Sequence, residues 1–99
     1  MKAVLIPAAT AMPPAPLELN DKDVIEEARK HLNCYVEVVS CSIPRRPSGT
    51  AHMLVDEEGL LKKLPYNQRA SYVAGRPIVG DAILLERLVD IEDENSAVA

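Results

Sequence analysis

Few residues in this chain combine the type and the spacing that chemistry needs. Its imidazole and thiol groups are His31, His52, Cys34 and Cys41. Neither histidine stands at a metal-ligand spacing or in a recognisable nucleophile motif, so both read as ordinary surface or boundary residues. The cysteines lie in one apolar run, CYVEVVSC. Read as a strand, that run puts them on opposite faces and roughly 23 Å apart, too far to bridge. Free thiols fit a reducing, cytoplasmic compartment. Asp56, Glu57 and Glu58 stand in a row before Gly59. They lack the alternating oxygen donors and closing glutamate of a calcium loop, so no metal site is expected. There is no glycine-rich phosphate motif, and no catalytic residue or cofactor is expected.

Two places have binding chemistry. Arg45 and Arg46 sit in SIPRRPSGT, where positive charge is concentrated between two prolines and a glycine. This segment is an anion- or partner-binding finger or, more plainly, a solvated hairpin tip. Asn67 precedes a short helical pattern whose first amides could face an anion, with Arg69 and Arg76 flanking it. The plainer alternative is a capped structural helix with two solvated arginines.

The elements that must position these residues are legible from pattern. Lys2–Ile6 is an apolar run closed by Pro7, as a buried strand would be. Pro7, Pro13, Pro14 and Pro16 among alanines make an extended connector, after which Leu17–Leu19 can pair back as a wide hairpin. Asn20 is placed to cap a helix reaching Leu32, with Leu19 and Val24 as a hydrophobic staple and Asn33 as a left-handed stop. Acids crowd its start, and Arg29, Lys30 and His31 its end. Cys34–Cys41 reads as a central strand, and His52–Asp56 as its return. The Asp56–Gly59 turn leads to a short strand, Leu60–Leu64, with Gly59 free to take positive φ. Asn67 then caps a helix over Gln68–Ala74, stopped at Gly75. Gly80-Asp81 turns the chain into an interior strand, Ala82–Leu88.

Ninety-nine residues suffice for one modest core. With tyrosine as its only aromatic type, that core is aliphatic and offers no stacking platform for bases. Asp90, Glu92, Asp93 and Glu94 account for the net charge of −4, so residues 1–89 are neutral. A neutral body lacks the basic excess that phosphate neutralisation requires. The expected organisation is a globular domain over 1–89 with a solvated, disordered acidic tail over 90–99. No apolar run is long enough to span a membrane.

The order and spacing of MKAVLIPA, YVEVV (Tyr35–Val39), VDEEGLLKKLPYNQRA (Val55–Ala70) and IVGDAILL (Ile78–Leu85) resemble domain-of-unknown-function family number 3846. The proline-alanine connector and the Arg45-Arg46 loop depart from that pattern. The resemblance implies a small accessory protein of a phage or mobile element, and transfers no residue roles.

The expectation is an α+β domain, with a mixed or mainly antiparallel sheet of about five strands and two helices on one face. Its expected function is non-enzymatic binding of a host protein or a small anionic ligand, in the service of countering a host defence. The contact residues would be drawn from Arg45, Arg46, Asn67, Arg69 and Arg76. The alternative is a nucleic-acid-binding regulator using the same arginines, a homodimer through an edge strand.

Overall fold

Both faces of one sheet are apolar, and the alternation of side chains along each strand shows which helix covers which face. The computed structural model describes residues 1–42 and 50–85. They form β1 (Lys2–Ile6), β2 (Ala15–Glu18), α1 (Val24–Leu32), β3 (Val36–Ser42), β4 (Thr50–Asp56), α2 (Gln68–Ala74) and β5 (Ala82–Leu85). The strands pair antiparallel throughout, in the order β2-β1-β5-β4-β3.

Met53 and Val55 of β4 pack in one cluster with Ile6, Ala82 and the α2 residues Ala70 and Ala74. Their neighbour Leu54 packs in the other cluster, with Ala3, Ile83, Leu85 and Ala28 of α1. Because successive side chains in a strand point to opposite faces, α1 and α2 lie on opposite sides of the sheet. The α+β class and the antiparallel five-stranded sheet are as the sequence suggested, but the helices do not share a face. The physical reason is that β1, β4 and β5 are apolar at both odd and even positions, so each face needs its own cover.

β5 lies at the centre, with Ala82, Ile83 and Leu85 essentially inaccessible. β3, expected in the middle, is an edge strand, and Val38 on it is 45% exposed. Residues 60–64 are turns rather than a strand. Asp56 Oδ1 accepts from the Glu58 amide, and the amides of Lys62, Lys63 and Leu64 donate back to Glu58, Leu60 and Gly59. Those local bonds use the groups that a strand would offer to a partner. Gly59 does not take positive φ; its lack of a side chain is needed because a Cβ would come within 2.8 Å of Val79.

At α1 the helix starts later than expected. The Asn20 side chain accepts from Lys22 N (3.0 Å) and its carbonyl from Asp23 N (3.1 Å), closing a turn. The cap position falls to Asp23, whose side chain makes no cap bond. Leu19 and Val24 still belong to the same core cluster on the α1 side, although with the cap at Asp23 they no longer hold the staple positions. Asn33 ends the helix in the left-handed conformation, as expected.

Candidate functional site

The stretch around α2 is closed by a short ladder. Asn67 N donates to the Ile78 carbonyl (2.8 Å), Gly80 N to the Pro65 carbonyl (2.7 Å), and Tyr66 bridges Val79. Asn67 sits inside this closure, fully buried. Its Oδ1 accepts from Ala70 N (3.0 Å), which caps α2 as the sequence suggested. Its Nδ2 donates to the carbonyls of Ile6 and Gly80, both at 2.8 Å. Ser71 completes the node, donating from Oγ to the Asn67 carbonyl (2.6 Å) and accepting from Ile78 N (2.8 Å). The Asn67 side chain is therefore spent inside the fold, tying α2 to β1 and to the turn before β5.

Arg69 is spent in the same way. Its Nη2 donates to the carbonyls of Pro7 (2.7 Å), Ala9 (3.0 Å) and Met12 (2.7 Å), gathering the proline-alanine connector around one guanidinium. The Asp81 carboxylate steadies the same connector by accepting from Ala8 N (2.9 Å). Arg76 is exposed and stands apart from this arrangement, on the rim of the depression described below. Arg45 and Arg46 lie outside the described residues, as does the stretch over 90–99. The structure thus assigns Asn67 and Arg69 to holding the fold, and leaves Arg76 as the exposed arginine of the three described.

Asp56, at the end of β4, joins two surface features. Its side chain is 9% exposed, and its Oδ2 accepts from Lys62 Nζ at 2.8 Å. Burial pushes the carboxyl up, but the Lys62 ammonium and the Glu58 amide outweigh it and hold the group below its ordinary value. The same bond raises Lys62. On one side, a polar groove of about 420 Å³ runs past Cys34, Asp56, Lys62 and Asp81. Burial first, and then the Asp56 charge, push the Cys34 thiol up. At neutral pH this corner is a closed ion pair beside a protonated thiol.

On the other side of Asp56 lies a depression of about 410 Å³. Its floor is apolar, made by Val39, Val55 and Ile78, each 5% exposed or less. Leu60 and Leu61 stand beside it at 82% and 80% exposure. Three exposed glutamates, Glu37, Glu57 and Glu58, rim it against a single guanidinium, that of Arg76. Asp56 lines it too, with its charge balanced by Lys62. Leu60 and Leu61 thus continue the apolar floor as a patch displayed to water.

Sequence reasoning missed Leu60, Leu61 and Glu37 because it placed the leucines in a strand and the glutamate mid-sheet. The signal was present in EEGLLKK, where two apolar residues are followed by two charged ones without the alternation that a half-buried strand requires.

Among the described residues, no group of three or more histidine, cysteine or acidic side chains is placed to hold a metal, and no helix is long and apolar enough to cross a membrane. No curated protein matches the chain. Among solved structures, the crystal structure of small RNA methyltransferase HEN1 is similar, with a TM-score of 0.64 and 21% sequence identity. The match covers 84% of this chain but 12% of that one, and at this identity the likeness is one of fold alone. The family model described as "Domain of unknown function (DUF3846)" matches residues 1–98, so the chain belongs to the DUF3846 family.

Proposed function

We propose that this chain is a non-enzymatic binding module whose contact surface is the depression beside Leu60 and Leu61, and that its partner is a protein. The observation that carries the proposal is the exposure of those two leucines, 82% and 80%, on a rigid turn beside a buried apolar floor. The turn is rigid because its amides are bonded within it and Gly59 is held against Val79. A contact surface built on such a turn loses little entropy on binding. A small anion is a poor fit, since it would meet three glutamates for one arginine. The same balance weighs against a phosphate backbone at Arg76. In the phage or mobile-element setting implied by the resemblance, the partner would be a host protein in the cytoplasm.

The test is paired capture from the cells that make the protein, using the native chain, the double variant Leu60→Asp/Leu61→Asp, and Tyr72→Asp as a control. Tyr72 is 88% exposed on α2 and does not line the depression. Fully burying a leucine is worth about 1.5–3 kcal/mol, so losing both weakens binding by roughly 10²- to 10⁴-fold. The expected result is a protein held by the native chain and by Tyr72→Asp but released by the double variant. Equal retention by all three would overturn the proposal.

A further inference from the structure

The open margin of β3 runs along the same depression. Among the described residues β3 pairs with β4 alone, in the register Val36↔Asp56 to Ser42↔Thr50. Just before that ladder, Glu57 N donates to the Tyr35 carbonyl at 3.0 Å, which makes Tyr35 and Glu57 a hydrogen-bonded pair. Hydrogen-bonded and non-bonded pairs alternate in an antiparallel ladder, so the odd positions of β3 bond to β4. The N–H and C=O groups of Val36, Val38 and Ser40 therefore point outward, away from the sheet. The opposite margin of the sheet is blunted: β2 has four residues, including Pro16. β3 has seven and contains no proline.

A strand laid along this margin would place every second side chain on the α2 face, next to Glu37 and Val39, both of which line the depression. Its remaining side chains would lie on the other face, beside the half-exposed Val38. We infer that β3 accepts an extended segment of the partner as a sixth strand. That segment is aliphatic, with lysine or arginine among the side chains turned toward the depression. The charge follows from the rim, where Glu37, Glu57 and Glu58 face one arginine. A second copy of this chain is the poorer occupant. Antiparallel pairing of β3 with β3 would bring two such acidic rims onto one face of the joined sheet. The inference rests on the depression being the contact surface, and adds to it a main-chain mode of recognition.

The probe is an acetylated, amidated heptapeptide that alternates valine with lysine, leucine and lysine. Its control carries glutamate in place of each lysine. With the native chain, the lysine peptide is expected to bind, and to bind more weakly as salt screens the rim. It should slow amide hydrogen exchange at Val38 and Ser40. Val38→Pro removes an outward amide and leaves the β4 ladder intact, and should weaken binding by about five- to tenfold, the worth of one or two hydrogen bonds. The exchange measurement on the native chain stands even where Val38→Pro perturbs the strand. Equal binding of the glutamate peptide, or binding without protection at Val38 and Ser40, would overturn strand addition. Binding lost in Leu60→Asp/Leu61→Asp but indifferent to Val38→Pro overturns strand addition and leaves the contact surface standing. Binding indifferent to both variants overturns both.

Discussion

Asn67→Ala removes three side-chain hydrogen bonds at once from a fully buried position. The Ala70 amide loses its cap, worth about 1 kcal/mol. The carbonyls of Ile6 and Gly80 lose their donor in the interior, at about 1–2 kcal/mol each. The expected loss is therefore about 3–5 kcal/mol, set against a total stability of about 5–15 kcal/mol for a domain of this kind. With a urea slope of about 1.5 kcal/mol per molar, the unfolding midpoint should fall by about 2–3 M. Asn67→Asp sharpens the test. It keeps the oxygen that caps Ala70 but turns a second oxygen toward two carbonyls, so the acid should hold a proton and its folded pKa should rise. A raised folded pKa means that the folded state binds the proton more tightly than the unfolded one. Asn67→Asp should therefore lose stability as pH rises from about 3.9, the unfolded value, through the folded one. Urea melts followed by circular dichroism at several pH values read both effects. A loss below about 1 kcal/mol for Asn67→Ala, or a pH-independent Asn67→Asp, would refute the view that this side chain ties α2 to β1.

Gly80 has φ +77 and a Cβ there would meet Leu64 Cδ1 at 2.7 Å, whereas Gly75, at φ +72, faces open space. Gly75→Ala should cost about 1–2 kcal/mol for the left-handed backbone alone, and Gly80→Ala clearly more, as thermal melts will rank them. Arg69→Met releases the carbonyls of Pro7, Ala9 and Met12, so limited proteolysis should cleave the connector faster than in the native chain. Asp56 has a depressed pKa, so its stabilisation is full above the unfolded value near 3.9 and is lost as pH falls through the folded one. Lys62→Met removes the ammonium and leaves burial opposed only by the Glu58 amide and Cys34, so Asp56 should rise and the acid-unfolding midpoint should move to higher pH.

Local chemistry was readable at several places where the partner of a group lies close in sequence, though not at Asn20 or over Leu60–Leu64, where a turn competes with the helix cap or strand that was expected. The α2 boundaries, the Asn67 cap on Ala70, and the left-handed Asn33 and Gly75 are each decided within four residues. Properties decided across the sheet were not readable. Nothing in Tyr35–Cys41 says that β3 is an edge strand among the described residues, because that follows from β5 inserting between β1 and β4. The first amides of α2 were read as able to face an anion, and that the Asn67 side chain beside them reaches Ile6 and Gly80, 61 and 13 positions away, was hidden for the same reason. The side for each helix was within reach, since β1, β4 and β5 carry apolar residues at consecutive positions, the mark of a sheet covered on both faces.

A partner of this chain is expected to touch it along β3 and the turn after β4. The direct measurement is hydrogen exchange on the complex of the native chain with the protein captured from its own cells, compared with the chain alone. Slowed exchange over residues 36–40 and 57–64, with none on the exposed side of α2 around Tyr72, is the predicted footprint. Protection centred on α2 or on the β2 margin, with residues 57–64 exchanging as freely as before, would contradict it.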